Sequence, residues 1–414
     1  MTSTRSRRAA GLLLALALAA PAGAESLLEL LPPGEPLLPF DAHAIALGGA
    51  AEARWDLESG LPANPAQLVA IDGVSFATVL QMRRGLRELP SGADWDETRQ
   101  DFPAFQISAA LPRGLRLGVG YRGDLRSRGA FSLQVPFDLD AVDHYALRYV
   151  QDGSLARFPI SFAFALAERY RLGLGLNLYR GSLNQEWLYD FPSATGGDPD
   201  LGYQDRKVRR EGSWRGTGLA LGLQAQPFGP ATTLSLRLDS GADLKGSSRI
   251  ETAGEAAVSE AAVAGELPLR WALGLARRLP RGTLVSLQWD HEQWSDYRAP
   301  LGAVPLRDVD RLALGLELLW SEVPPASRPQ RRLPLRLGLR VGDWPGPDAF
   351  TGAAIRETLL SAGTGIDLQS GRGSLDLTVF WQRLAIGDAT SERRLGVALS
   401  LRTSETWTRR SQPF

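Results

Sequence analysis

The stretch Arg171-Leu-Gly-Leu-Gly-Leu-Asn-Leu-Tyr179 carries a leucine at every second position. Alternate side chains of a β-strand point to opposite faces, so one face of this strand is leucine and the other carries glycine and asparagine. The same alternation recurs at 312–318, 333–341, 375–379 and 395–401. The pattern predicts a chain built almost wholly of β-strands.

Two features favour a membrane barrel over a soluble β-sandwich, which also alternates. The alternation persists through most of the chain, and 170–190 and 231–251 are far longer than the usual strand of about 5–6 residues. The second face also carries charged residues, which can face a wet lumen but not lipid. The lumen-facing polar candidates are Arg116, Arg237, Asp239, Asp290, Glu317, Arg336, Arg340 and Asp376. A sandwich with the leucines in its core is the alternative.

Short connections alternate along the chain with long polar ones. Short turns are expected near 111–114, 167–170, 227–231, 279–282 and 370–372. Bacterial barrels have an even number of strands, short periplasmic turns and longer external loops.

This spacing predicts an all-β fold, a 14-stranded antiparallel transmembrane β-barrel spanning 73–405. We expect one long external loop at 124–156, both termini on the periplasmic side, and a periplasmic tail at 406–414.

The first residues have the three parts of a secretory signal peptide. Basic residues at 5, 7 and 8 precede an apolar core at 11–20, and Ala22-Gly-Ala24 is a small-residue cleavage site. The core is too short to cross a bilayer as a helix. We therefore expect a cleaved signal peptide at 1–24.

Residues 25–72 do not alternate, and they are rich in small and apolar residues. Because a disordered segment is usually more polar, we expect an N-terminal hatch inside the lumen. A disordered periplasmic arm is the alternative. Inside a lumen the amide of Asn64 would need partners, and we expect backbone groups of the hatch itself to supply them.

Composition excludes several classes of function. The 46 basic and 46 acidic residues balance, so nothing favours a nucleic-acid partner. Cysteine is absent, and His43, His144 and His291 share no metal-site spacing. We expect no cofactor, no metal and no catalytic residue. An enzyme using His144 or His291 as a base is the least favoured alternative, because neighbouring Asp290 and His291 point to opposite faces of a strand.

Short motifs point to a family. Ala46-Leu-Gly-Gly-Ala50, followed by Ala63-Asn-Pro-Ala-Gln-Leu68, resembles the N-terminal hatch of the FadL-type outer-membrane transporters. Gln67 stands where that family has glycine. Segments 267–276, 288–297 and 336–340 also resemble strands of the family. The hatch-motif residues are Gly48, Gly49, Asn64, Pro65, Ala66 and Leu68.

The resemblance implies a fourteen-stranded barrel with a hatch in the bacterial outer membrane. It also implies a channel for passive uptake of hydrophobic small molecules, such as fatty acids or hydrocarbons. The family includes PorV-like relatives, so a structural or secretion-partner barrel with no transport role is the alternative. The expected partners are outer-membrane lipid and lipopolysaccharide, a hydrophobic small-molecule ligand, and the barrel-assembly machinery.

Overall fold

The structure is a computed structural model. It describes residues 27–30, 33–38, 40–57, 60–88, 94–139, 142–191, 205–254, 258–302, 305–319, 333–348, 352–368, 372–387 and 390–405. The predicted signal peptide at 1–24 and the predicted tail at 406–414 lie outside these residues.

Fourteen antiparallel strands close into a barrel, which confirms the predicted fold. Each strand pairs with the next along the chain, and the last pairs with the first. The strands are β1 (Val74–Glu88), β2 (Asp94–Ala110), β3 (Arg116–Leu139), β4 (Val142–Ala167), β5 (Tyr170–Asp190), β6 (Arg206–Ala225), β7 (Thr232–Asp239 and Ala242–Thr252), β8 (Ser259–Leu267 and Arg270–Arg278), β9 (Leu284–Glu292), β10 (Val309–Leu319), β11 (Pro334–Asp343), β12 (Ile355–Leu368), β13 (Gly373–Ile386) and β14 (Thr390–Glu405).

Strands β7 and β8 are each interrupted, and the two breaks lie side by side. Both pieces of β7 pair with β6 and with the matching pieces of β8, so each counts as one strand. Pro268 lies in the break of β8. Because proline has no N–H to donate, it cannot continue the hydrogen-bond ladder.

The connections after β2, β4, β6 and β8 are short turns at one end of the barrel, here called the short-turn end. The opposite end is the long-loop end. In bacterial barrels these ends face the periplasm and the exterior respectively.

The expectation of one external loop at 124–156 is wrong. Strands β3 and β4 run through it, with Arg126 opposite Ser154 and Leu133 opposite Leu147. These strands have 24 and 26 residues and rise well past the lipid-facing belt. Both faces of such an extension lie outside lipid, so the leucine alternation that marks the membrane part of a strand is missing there.

The leucine faces point out of the barrel. Leu174, Leu314 and Leu337 are 50%, 47% and 41% exposed. A soluble sandwich would bury such residues, so that alternative is wrong. A barrel in lipid covers them with acyl chains.

The described residues between 27 and 71 lie inside the barrel, and we call them the lumenal segment. It contains the helix α1 (Ala42–Ala46) and a 3-10 helix at Pro65–Ala70. Helix α1 packs against β12, β13 and β14 through Ile45, and the 3-10 helix packs against β4, β5 and β6. The apolar core therefore lies between the lumenal segment and the wall.

No helix in the described ranges is long and apolar enough to cross a membrane.

The described chain begins in the long-loop half of the lumen. The first described residues, 27–30, lie beside Tyr149 and Gln151 in the long-loop half of β4. The Glu29 carbonyl accepts a hydrogen bond from Gln151, which holds them there. The predicted periplasmic position of both termini concerns residues outside the described ranges; at the other end of the described chain, Glu405 pairs with Val74 at the short-turn end.

Leu174→Arg should destabilise the barrel by about 2–4 kcal/mol, because it puts a charge into the lipid-facing belt. Leu188→Arg is the matched control, on the same face of β5 but in the extension beyond the belt. It should change stability by no more than about 0.5 kcal/mol. Urea unfolding in liposomes measures both. Equal, small effects would contradict the lipid-facing assignment.

Candidate functional site

Glycines on the inner face of the wall let the lumenal segment approach it closely. At five positions on the inner face, a side chain would meet backbone atoms of that segment. A Cβ on Gly315 would lie 2.9 Å from the Leu47 carbonyl oxygen, and one on Gly274 would lie 3.0 Å from the Ala53 nitrogen. The five glycines are Gly173, Gly222, Gly274, Gly315 and Gly338.

Gly48 and Gly49 form the turn that ends helix α1. Their φ angles are 67° and 93°, in the left-handed region that glycine adopts without strain. Their amides donate to the carbonyls of Ile45 and Ala44 at 2.9 and 2.8 Å. Gly48 also lies directly against the backbone of Leu339 in β11.

Asn64 links the 3-10 helix to the wall. Its Oδ1 accepts a hydrogen bond from the Ala66 amide at 2.9 Å, inside the lumenal segment as expected. Its Nδ2 instead donates to the carbonyls of Leu236 and Leu223 at 3.0 and 3.4 Å. Those carbonyls belong to β7 and β6, so the expectation that the segment alone satisfies this amide is wrong.

The rest of the motif completes this contact. Pro65 opens the 3-10 helix, where its missing N–H costs nothing. Ala66 lies against Gly173, and Leu68 packs with Leu57 and Ala163.

Gln67 joins two parts of the lumenal segment. Its Oε1 accepts hydrogen bonds from the amides of Ala63 and Asn64, which completes a capping box. Its Nε2 donates to the carbonyls of Ala51 and Arg54 at 2.7 and 3.1 Å. The residue that replaces the family's glycine therefore ties 51–54 to 63–67.

The predicted lumen-facing residues point inward and form separate clusters. Arg336 bonds to Glu317 at 2.7 Å and to Asp376 at 2.6 Å. His43 of helix α1 lies 3.0 Å from the same Glu317 carboxylate. One cluster thus connects β10, β11 and β13 to the lumenal segment.

A second cluster surrounds Arg237. This guanidinium lies 2.8 Å from Glu52 of the lumenal segment, 3.2 Å from Asp239 and 3.9 Å from Asp290. Burial raises the pKa of Glu52 to about 7, against the attraction of Arg237.

Two further predicted lumen-facing residues lie outside these clusters. Arg340 bonds to Glu357 at 2.5 Å, and Arg116 donates to the Ile71 carbonyl at 2.5 Å.

A third cluster was not predicted. Glu29 and Glu35 of the lumenal segment are fully buried, and Arg83, Arg99 and Arg394 of the wall surround Glu35. Burial alone would raise the pKa of Glu35, but Arg394, Arg83 and Arg99 together hold it well below its usual range.

The wall has a gap between β2 and β3. These strands pair only between Ala104–Ala110 and Arg116–Arg122, and no ladder joins 94–103 to 123–139. Pro103 lies where this pairing stops, and on the other side of β2 it shares with Phe102 a bulge opposite Leu80 of β1. An ion pair between Arg126 and Asp101 crosses this wall gap.

The lumenal segment lies against the gap from inside. The short strand Glu35–Pro36 pairs with Arg126 and Leu125 of β3, and the Leu37 amide donates to the Asp124 carbonyl at 3.0 Å. A bulge at Asp124 turns its side chain inward, 3.1 Å from Arg157.

Two cavities meet at this place. An apolar cavity of about 290 Å³ lies in the long-loop half of the lumen. A second cavity of about 250 Å³ lies at the wall gap and also borders Leu125 and Leu155. The apolar cavity is lined chiefly by Leu30, Leu125, Leu155, Leu183, Trp214, Tyr297 and Leu301.

The fourteen-stranded barrel matches a known architecture. A FadL homologue of Pseudomonas aeruginosa superposes with a TM-score of 0.61, covering 89% of this chain and 99% of its own at 12% identity. The toluene transporter TodX of Pseudomonas putida superposes with a TM-score of 0.58, covering 89% of this chain and 99% of its own at 17% identity. TbuX of Ralstonia pickettii, also a toluene transporter, superposes with a TM-score of 0.56, covering 88% of this chain and 98% of its own at 15% identity. The chain has the FadL-type fold.

No protein-family model and no curated protein sequence matches the chain. The FadL-type fold is therefore carried by the strand pattern and the short motifs, without close sequence similarity.

His291 lies 2.9 Å from Asp310 on the outer face, while Asp290 points into the lumen. The side chain of His144 lies outside the described residues.

Gln67→Ala should loosen the lumenal segment, because it leaves two buried amides without an acceptor at about 1–3 kcal/mol each. Hydrogen exchange of peptides covering 51–71 should become faster while the barrel strands stay protected. Gln226→Ala, which removes a buried glutamine from the turn after β6, is the control. It should leave exchange at 51–71 unchanged. Equal exchange in both variants would contradict the role of Gln67.

Proposed function

We propose that the protein is an outer-membrane channel for passive uptake of hydrophobic small molecules. The observation that carries this proposal is the apolar cavity beside the wall gap. The fold supports it, because the TodX and TbuX structures with this fold are those of toluene transporters. Fatty acids and hydrocarbons are both candidate ligands.

The apolar cavity is the proposed capture site. A dry apolar cavity of about 150 Å³ is enough to bind benzene. The cavity here has about 290 Å³; leucine side chains, Trp214 and Tyr297 form most of its wall, and a few polar side chains, among them Gln151 and Gln185, border it. A small hydrophobic molecule entering it leaves water and loses no polar partner.

The wall gap is the proposed exit. A molecule in the apolar cavity passes Leu125 and Leu155 to reach the gap. On the outside, Phe102, Phe105 and Tyr121 form an aromatic row that faces lipid. The route is apolar in the cavity and at the lipid-facing surface, and polar where the ion pair between Arg126 and Asp101 crosses the gap.

The straight route through the barrel is unfavourable for such a molecule. Between the apolar cavity and the short-turn end lie the buried clusters around Arg237 and Arg336. Breaking a buried ion pair costs about 3–5 kcal/mol, and an apolar molecule supplies no replacement partner.

In this mechanism the lumenal segment is the hatch. It lies across the lumen with its backbone against the wall glycines, and it keeps water and ions from passing along the axis. Capture and release then take place on the same side of the hatch, and net movement follows the concentration gradient.

A disulfide across the wall gap should stop uptake. The chain has no cysteine, so Asp101→Cys with Arg126→Cys introduces the only pair, and a short bis-methanethiosulfonate reagent oxidises both thiols to disulfides and bridges the distance that the arginine side chain spans. The oxidised variant should lose uptake of a fluorescent fatty acid and of toluene into liposomes, and reduction should restore it. Transport that persists after complete oxidation would contradict exit through the gap.

The control pair is Ser247→Cys with Ala262→Cys. These residues are directly opposite on the outer face of β7 and β8, where the ladder is continuous. Oxidation there should leave uptake unchanged. If the wild-type protein and both reduced variants carry neither probe, that result favours the structural or secretion-partner role.

Removing the hatch should open the axis to ions. A variant lacking 42–68 should still fold to a heat-modifiable barrel, because the strand ladder does not depend on this range. Its conductance in planar bilayers should exceed that of the wild type. Unchanged conductance in a folded deletion would contradict the hatch assignment.

Point variants test the same idea without a deletion. A Cβ at Gly222 would collide with Asn64, whereas one at Gly218, on the same face of β6, would meet nothing closer than 3.2 Å. Gly222→Ala should raise the frequency of conducting events in planar-bilayer recordings, and Gly218→Ala should leave that frequency unchanged.

A further inference from the structure

Three cations stand side by side on the outer face of the wall. Arg180 of β5 lies directly opposite Arg215 of β6, which lies directly opposite Lys245 of β7. Such neighbours have Cβ atoms about 4.5–5.5 Å apart. All three residues are exposed. We call them the cation row.

Alanines and serines surround the cation row. Ala156 of β4 and Ala264 of β8 continue the row at its two ends. Ser182, Ser213 and Ser247 occupy the same strands two residues closer to the long-loop end. These small side chains leave the three charged groups open to a bulky partner.

Within the described chain, no carboxylate forms an ion pair with the cation row. Asp243 lies two residues from Lys245 on the same face, but it is opposite Glu266 and pairs with none of the three. Cations farther from the membrane are neutralised: Lys207 lies 2.9 Å from Glu186, and Arg209 lies 2.7 Å from Glu211.

Like charges directly opposite each other destabilise a sheet. The cation row keeps three of them in register without a protein counter-ion. This arrangement favours an anion supplied from outside the chain, and one large enough to reach three strands.

The position of the cation row along the barrel axis shows whether it lies in lipid or in water. On β5 the lipid-facing leucines end at Leu178, and Arg180 is the next residue on that face. On β6 the last large apolar residue of the same face is Leu219. The apolar band of a bacterial barrel is about 25 Å tall, and the eleven residues from Tyr170 to Arg180 span about that height in a tilted strand. The cation row therefore lies at the boundary between lipid and water on the long-loop side.

We propose that the cation row binds the phosphate groups of lipopolysaccharide in the outer leaflet. Guanidinium groups bind phosphate through paired hydrogen bonds, and an ammonium group adds a point charge. The acyl chains of the same molecule would cover the leucines below. The proposal depends on the outer-membrane location of the barrel and not on what the lumen carries.

Binding of lipid A to the purified full chain in mild detergent tests this, measured by native mass spectrometry. The test variant is Arg180→Gln with Arg215→Gln and Lys245→Gln, three exposed positions that leave the ladder intact. Because each surface cation contributes about fivefold to binding an anionic lipid, the triple variant should bind diphosphorylated lipid A about 100-fold more weakly. Dephosphorylated lipid A should bind both proteins equally.

The matched control is Lys207→Gln with Arg209→Gln and Arg249→Gln, which removes three cations that each have a glutamate partner. It should retain wild-type affinity. Equal binding by the triple variant and the wild type would overturn the proposal, and so would an equal loss in the control. Displacement of lipid A by millimolar inorganic phosphate would assign the row to free phosphate instead. Heat-modifiable gel mobility checks that every variant is folded, and Arg215→Gln alone replaces the triple variant if that one fails.

Discussion

Close contact between the backbone of the lumenal segment and the inner wall is the constraint on which the arrangement of the lumen depends. Backbone can approach a strand this closely only where the strand has no side chain, and glycine meets that need at Gly173, Gly222 and Gly338. The intervening leucines meet the opposite need, contact with lipid. A slip of one residue in register would put leucine against the lumenal segment and glycine against lipid, so both contacts select the same register.

Charge then determines where the lumenal segment lies. His43, Glu52 and Glu35 each contact a different set of wall residues. Buried ion pairs add little net stability, but leaving one member unpaired is costly. Three separate pairings along one short segment therefore disfavour other positions strongly. The apolar cavity lies apart from these three sets of ion pairs.

The parts of the structure that follow from repeated local patterns could be predicted from the sequence. The strand number, the outward leucines and the inward polar residues all follow from period-two alternation, and Asn64 was singled out by a short motif. The extension at 124–156, the bulge at Asp124 and the gap between β2 and β3 could not be predicted. They depend on how two strands meet in space, and no local pattern marks a ladder that stops. The Glu35 cluster joins residues far apart in the chain, so it was missed for the same reason.

The incomplete ladder between β2 and β3 gives this closed barrel an edge. Barrels normally have none, and exposed edges of sheets invite pairing with other chains. Here the edge carries protections familiar from open sheets: Pro103 within the strand, the charged pair Asp101 and Arg126, and the two-residue strand Glu35–Pro36 already paired to it. The first and last strands, by contrast, pair along their whole common length. The weakest strand pairing of the wall is therefore an internal one. Heat or denaturant should separate β2 from β3 before it separates β1 from β14.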